Sequence, residues 1–190
     1  MQIHAQLYVW HAANAKTVVN TSNFDNTYIV YRRLIFKIAI AVILLDQLAK
    51  IAAVAFLEHK APIKLIGHYL KLSFTRNPGA AFSMGTNVTF IFTIFSVTVA
   101  GLIIWKSKII TNNIWAICAG GFLGGAIGNL IDRIVRSPGI FRGHVVDFIV
   151  FPNFPYFNLA DSAVTLCAIT AAVLSFRGID YQHQSRQSEK

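Results

Sequence analysis

The chain has 190 residues, of which 55% are hydrophobic and 13% charged, whereas roughly a quarter of the residues in a soluble domain are charged. A mean hydropathy of +0.53 leaves too little polar surface for a water-facing exterior, which excludes an ordinary soluble globule. The net charge of +9 is not gathered on one face but scattered between apolar runs, which indicates flanks of membrane spans rather than a nucleic-acid binder.

The first part of the chain contains an extension, a span and a polar connection. Residues 1–31 lack the basic start and short apolar core of a secretory signal and predict a loosely ordered or interfacial extension. The apolar run from Leu34 to Leu57 is long enough to cross a bilayer. Residues 58–86 are too polar to cross, and apolar and polar side chains alternate between Ile63 and Phe74, which predicts a small extramembrane β element.

Three more spans follow, at about Asn87 to Trp105, Ile114 to Ile131 and Leu159 to Phe176. Residues 133–157 contain three prolines and predict a loop. The predicted fold class is an all-α integral membrane protein with four transmembrane helices and a small extracytoplasmic β element. The predicted organisation is an N-terminal extension (1–31), a four-span membrane domain (32–176) and a polar C-terminal tail (177–190).

Four spans joined by short loops run up and down, so both termini lie on one side of the membrane. The terminal side carries nine Lys and Arg residues and the other side seven, with Lys50 inside the first span. The basic residues directly before the first span weigh most, and they place both termini in the cytoplasm. Nearly all the unusual polar residues then share the opposite, outer face.

Acids inside a membrane are functional candidates, because a charge at mid-bilayer costs a few kcal/mol. Asp46 and Lys50 are one helical turn apart in the favourable order and predict a structural ion pair. We expect Asp132 to anchor either the end of a helix or a cation in a loop. Asn129 and Arg133 are four residues apart and share another face of the same helix.

Asp147 and Asp161 have no nearby cation in sequence, and both lie on the predicted outer face. Two carboxyl groups within hydrogen-bond reach cannot both ionise cheaply, so they share a proton and titrate as a unit. Such a pair can activate water and protonate a leaving amine, as in peptide hydrolysis, or it can relay protons in a transporter. The residues alone leave these two functions about equally favoured.

Five sequence blocks follow one another along the chain: Asp46-Gln47-Leu48-Ala49-Lys50, Asn77-Pro78-Gly79-Ala80-Ala81-Phe82-Ser83, the run from Gly124 to Arg133, Val145-Val146-Asp147-Phe148, and the run from Phe157 to Ala163. In order and approximate spacing these blocks resemble the lipoprotein signal peptidase family, also called signal peptidase II. The resemblance extends from about residue 34 to residue 176.

The resemblance implies an intramembrane aspartic endopeptidase with Asp147 and Asp161 as its catalytic pair. It further implies that Asn77, Asn129, Arg133 and Asn158 line the substrate and inhibitor pocket, and that Asp46, Lys50 and Asp132 hold the fold together. The implied substrates are prolipoproteins, cleaved just before a diacylglyceryl-modified cysteine, and the implied inhibitor is globomycin. The implied location is the bacterial plasma membrane, among its lipids, with cytoplasmic termini and an active site near the outer leaflet. The 1–31 extension and the 136–142 stretch depart from the family pattern.

Two other functions stay open at this point. A small proton-coupled transporter would use the same acid pair as a relay, and a membrane scaffold would assemble through the small-residue face of Gly120, Gly124 and Gly128. Cleavage of a diacylglyceryl prolipoprotein in mixed micelles, with and without globomycin, separates the three. No metal or cofactor is predicted, because the six histidines are dispersed and Cys118 and Cys167 lie inside apolar runs.

Overall fold

The structure is a computed structural model that describes the backbone of residues 2–79 and 89–182 and the side chains of residues 28–79 and 89–182. Within these residues, four helices are long and apolar enough to cross a membrane, as predicted. The elements in chain order are α1 (Gln2–Leu57), β1 (Ile63–Ile66), β2 (Leu70–Asn77), α2 (Thr89–Lys106), α3 (Asn113–Val135), β3 (Val145–Val150) and α4 (Leu159–Phe176).

One helix end differs from the prediction because a polar residue there finds its hydrogen-bond and ion-pair partners inside the protein. Helix α3 does not end at Ile131 but continues to Val135, because Asp132 is buried and ion-paired and does not need the interface. The membrane-crossing part of α1 begins at Tyr28. Most of the predicted N-terminal extension and C-terminal tail lies outside the residues whose side chains are described, so the division into three parts stays a prediction.

The three strands form one antiparallel sheet in the order β1-β2-β3, which confirms the small β element. The prediction of a plain loop over 133–157 was wrong, because β3 lies within it and pairs with β2. Six residues interrupted by Asp147 are too few to give a clear period, so the strand was not visible in the sequence. The register places Thr75 opposite Asp147 and Asn77 opposite Val145, which brings the end of β2 to the same place as Asp147.

Helix α3 is central and contacts the other three helices, and its glycines allow the close approach of α1 and α4. A Cβ atom on Gly124 would lie 2.7 Å from Val42 Cβ and 2.8 Å from the Ala39 carbonyl oxygen of α1. On the neighbouring face, a Cβ atom on Gly125 would lie 2.7 Å from the Ala160 carbonyl oxygen of α4. Close backbone approach of this kind is how small residues support packing of membrane helices.

The small-residue face of Gly120, Gly124 and Gly128 is therefore covered within the chain itself. Ile35, Val42 and Asp46 of α1 supply the atoms that a Cβ on one or another of these glycines would meet. The face is not available to a second protein, which removes the scaffold function suggested by the same glycines. It holds α1 and α3 in the register that the site requires.

We expect Gly124→Ala to lower the free energy of unfolding by about 1–3 kcal/mol, because the added methyl group overpacks the α1–α3 contact. The matched control is Gly101→Ala in α2, where an added Cβ meets no atom within 4 Å. Thermal unfolding in detergent micelles measures both. Equal midpoints for the two variants would contradict the packing role of Gly124.

Candidate active site

A buried ammonium group, that of Lys50 on α1, lies at the base of the site. Its Nζ atom is 2.8 Å from Asp46 Oδ2 and 2.9 Å from Asp132 Oδ2, and all three side chains are fully buried. The same Nζ donates a hydrogen bond of 2.9 Å to Asn129 Oδ1. A buried charge needs several close partners to offset its lost hydration, and Lys50 has two carboxylates and one amide.

The two carboxylates also fix other elements. Asp46 Oδ1 accepts a 2.9 Å hydrogen bond from the backbone N–H of Ala160, in the first turn of α4. Asp132 accepts a hydrogen bond of 3.1 Å from the backbone N–H of Val146 in β3 and pairs with Arg136 at 2.8 Å. The Lys50 cluster therefore joins α1, α3, α4 and β3.

Asn129 connects the Lys50 cluster to Asp161 and Asn158. Its Oδ1 atom accepts hydrogen bonds from Lys50 and, at 3.1 Å, from Asn158 Nδ2. With the oxygen fixed by two donors, the amide nitrogen must point the other way, and it donates a 2.7 Å hydrogen bond to Asp161 Oδ1. Lys50 thus sets which face of the Asn129 amide meets the carboxyl group.

Asn158 links the two acids. It is the N-cap of α4: its Oδ1 accepts a hydrogen bond of 2.9 Å from the Asp161 backbone N–H, and its own N–H donates to Asp161 Oδ2 at 3.3 Å. This reciprocal arrangement is a capping box, which satisfies two otherwise unpaired donors of the helix. Asn158 Nδ2 also donates a 2.6 Å hydrogen bond to Asp147 Oδ1.

Asp147 is 1% exposed, in the middle of β3. Its other oxygen, Oδ2, accepts a 2.8 Å hydrogen bond from Asn77 Nδ2 at the end of β2. Asn77 is held by a turn in which its Oδ1 accepts from the Gly79 backbone N–H at 2.8 Å, and Gly79 has a φ of 105° that favours glycine. Burial, and secondly the charge of Asp161, raise the pKa of Asp147 from 3.8 to about 7.

A cavity of about 410 Å³ opens beside Asp161, while Asp147 and Asn158 lie behind its lining. Arg133, only 7% exposed, lies at its wall with the guanidinium carbon 5.6 Å from the centre of the Phe92 ring. Its Nε and Nη1 atoms have no hydrogen-bond partner among the described residues, so they can donate to a group that enters the cavity. The lining is otherwise mostly apolar and includes Asn77, Asn129, Asp161, Phe95, Val99, Phe122, Phe154 and Tyr156.

The structure brings all the predicted site residues together. The predicted pair of Asp46 and Lys50 is present, and Asn77, Asn129 and Asn158 each bond at least one of the two acids. Arg133 lines the same cavity as Asn77, Asn129 and Asp161. Their catalytic, binding and structural roles stay predictions. Within the described residues, no group of three or more His, Cys, Asp or Glu side chains could hold a metal ion.

Three contributors were missed in the sequence. Gln47 donates hydrogen bonds to Asp46, to the Gly128 carbonyl oxygen and to Asp132, and so joins α1 and α3. No feature of the neighbouring sequence indicated this role of Gln47. Arg136 lies one helical turn after Asp132, and this spacing could have revealed the pair. Phe92 under Arg133 gave no sequence signal, because it is one of several aromatic residues in an apolar helix.

The comparisons with known proteins agree with one another. The family model described as Signal peptidase (SPase) II matches residues 38–177. The lipoprotein signal peptidase of Streptomyces coelicolor is 47% identical over 146 residues, which is 77% of this chain and 72% of the relative. That of Mycobacterium tuberculosis is 39% identical over 155 residues, 82% of this chain and 77% of the relative.

Two solved structures of bacterial membrane enzymes, determined by the in meso method, share the fold. The one at 2.3 Å resolution aligns with a TM-score of 0.65 and 27% identity, over 82% of this chain and 92% of the other. The one at 1.9 Å resolution aligns with a TM-score of 0.66 and 26% identity, over 75% and 92%.

Lys50→Met tests the buried cluster. It leaves the Asp46 and Asp132 carboxylates without their shared cation, so we expect a loss of about 3–5 kcal/mol of stability in detergent. The triple variant Asp46→Asn, Lys50→Met, Asp132→Asn removes all three charges and should recover part of the loss. Arg76→Gln is the control, because its pair with Glu58 is partly exposed and worth about 1 kcal/mol at most. A Lys50→Met protein as stable as Arg76→Gln would refute the role of the cluster.

Proposed function

The chain belongs to the signal peptidase II family, a premise from which we propose that it is an aspartic endopeptidase with Asp147 and Asp161 as its catalytic residues. It is a multi-pass membrane protease that removes signal peptides from prolipoproteins. The observation that carries the proposal is the arrangement of the acids: the buried carboxyl group of Asp147 and the half-buried one of Asp161 come from different elements and are joined through Asn158, and Asp161 lines a cavity. The proton-coupled transporter is not favoured, since the family is a peptidase family.

The reaction needs one carboxylate and one carboxylic acid. The partly apolar surroundings and the neighbouring acid keep the pKa of Asp147 near 7, so the pair holds one proton around neutral pH. The ionised carboxyl group takes a proton from a water molecule as its oxygen attacks the scissile carbonyl. The protonated group then supplies the proton that the leaving amine requires.

The remaining polar residues bind and orient the substrate. Arg133 donates its free N–H groups to a carbonyl or charged group of the substrate in the cavity, while Phe92 supports the guanidinium plane. Asn77, Asn129 and Asn158 hold the carboxyl groups in the geometry that the attack requires, which lowers the entropic part of the barrier.

The substrate reaches the site through the membrane. We place the diacylglyceryl chains of the modified cysteine in lipid beside the apolar cavity wall, so that membrane anchoring supplies much of the binding. The inhibitor globomycin would occupy the same cavity. The site is near the outer leaflet of the plasma membrane, since both termini are assigned to the cytoplasm and the acids lie at the opposite end of the bundle.

Asp147→Asn and Asp161→Asn should each reduce cleavage of a diacylglyceryl prolipoprotein by at least about 10²–10⁴-fold, because neither variant can both give and take a proton. Asp180→Asn, beyond the far end of α4, is the matched control and should keep full activity. The assay is mixed-micelle cleavage, with thermal unfolding to show that each variant is folded. Full activity in either of these two variants would reject Asp147 and Asp161 as the catalytic pair.

The pH dependence follows from the raised pKa of Asp147. The rate should fall as the pH rises through about 7, because the pair then loses its shared proton. The hydrogen bond from Asn77 favours the charged form and lowers the pKa, so Asn77→Ala should move this fall to higher pH. The measurement is the pH profile of kcat/KM, in which the position of the limb is independent of its height. A limb that stays in place or moves to lower pH contradicts the assignment.

A further inference from the structure

The hairpin of β1 and β2 exposes an apolar surface outside the membrane-spanning helices. Residues 61–69 are all exposed, and large apolar side chains among them are 47–62% exposed. In a soluble domain a patch of this kind marks an interaction surface. The exposed apolar side chains are Ile63, Leu65, Ile66 and Tyr69.

The hairpin follows directly from a membrane-spanning helix. Helix α1 ends at Leu57, and β1 begins at Ile63 after a turn in which the Lys60 N–H donates to the Leu57 carbonyl oxygen. Phe56, in the last turn of α1, is 73% exposed, as expected for a side chain that faces lipid. So short a connection keeps the hairpin near the headgroup layer, where amphipathic rings such as that of Tyr69 are enriched.

The hairpin is also cationic. Residues 59–75 contain no acid. Lys64 and Lys71 are direct cross-strand partners, an arrangement in which like charges repel each other. Arg76 pairs with Glu58 at 2.9 Å, but within the described residues no ion pair joins Lys64 or Lys71 to an acid. An anion between the two lysines would remove their repulsion.

A small cavity adjoins Lys71. Its volume is about 190 Å³, and Lys71 lines it together with polar and apolar side chains. It therefore combines a cation with room for a small polar group at the edge of the sheet. Its other lining residues are His68, Val150, Phe151 and Pro152.

We propose that this hairpin rests on the bilayer surface and that Lys64 and Lys71 together bind the phosphate group of an anionic phospholipid. Ile63 shares one face of the hairpin with Leu72, and the two lysines share the other, so the hairpin meets the bilayer edge-on. The exposed side chain of Ile63 then contacts the upper acyl region, and the two ammonium groups attract the negative surface. Charge complementarity favours an anionic over a zwitterionic lipid. The inference is independent of the peptidase reaction, because it uses none of the residues assigned to it.

Photocrosslinking from the hairpin tests the proposal. The full chain carries p-benzoylphenylalanine in place of Tyr69 and is reconstituted in liposomes of phosphatidylcholine and phosphatidylglycerol, with a lipopeptide substrate present. Mass spectrometry identifies the adducts after illumination. We expect phosphatidylglycerol to be enriched over its mole fraction, and the enrichment to fall about fivefold for each lysine removed in Lys64→Gln and in Lys64→Gln/Lys71→Gln. Lys106→Gln/Lys108→Gln makes the same charge change at the end of α2 and in the loop that follows it, and should leave the enrichment unchanged.

Three outcomes overturn the proposal. Lipid adducts in proportion to the mole fractions would show that there is no anionic preference. Adducts with the peptide substrate in place of lipid would show that the hairpin is a polypeptide-binding surface. An enrichment of phosphatidylglycerol that survives Lys64→Gln/Lys71→Gln would show that these lysines do not hold the phosphate.

Discussion

The structure depends on one charge that has no access to water, the ammonium group of Lys50. It is satisfied only where α1 and α3 place Asp46, Asp132 and Asn129 around it at 2.8–2.9 Å. Leaving this charge unpaired would cost several kcal/mol, a large share of the net stability of a typical domain, so the helices have little freedom of register. The glycines of α3 allow the close approach of α1 that this arrangement requires.

The Lys50 cluster is connected to Asp147 and Asp161 by the side-chain amides of Asn129 and Asn158, not by further charged groups. In both Asn129 and Asn158 the amide oxygen accepts hydrogen bonds and the amide nitrogen donates to an acid, which leaves the orientation of each amide fixed. Amides are suited to this position, because they hold carboxyl groups without neutralising them as a cation would. The pair can therefore keep a proton near neutral pH while both carboxyl groups stay in place, as the proposed activation of water requires.

Much of this arrangement was visible in the sequence, because membrane spans and contacts one helical turn apart leave local signals. The four spans followed from hydropathy, the Asp46–Lys50 pair from its spacing, and Asp147 and Asp161 from the absence of nearby cations. The contacts of Lys50 with Asn129 and Asp132, 79 and 82 residues away, left no such signal. Strand β3 was missed for a similar reason, since its partner β2 is about 70 residues distant and Asp147 breaks its apolar pattern.

The protonation state of the acid pair is the most direct test of the account. Infrared spectroscopy of the detergent-solubilised protein, with isotope-labelled aspartate, distinguishes the carbonyl stretch of a carboxylic acid from that of a carboxylate. We predict one protonated aspartate per chain just below pH 7, which is lost as the pH rises and is absent from Asp147→Asn. Aspartates that are all ionised at pH 6, or a protonated signal unchanged in both Asp147→Asn and Asp161→Asn, would contradict a shared proton.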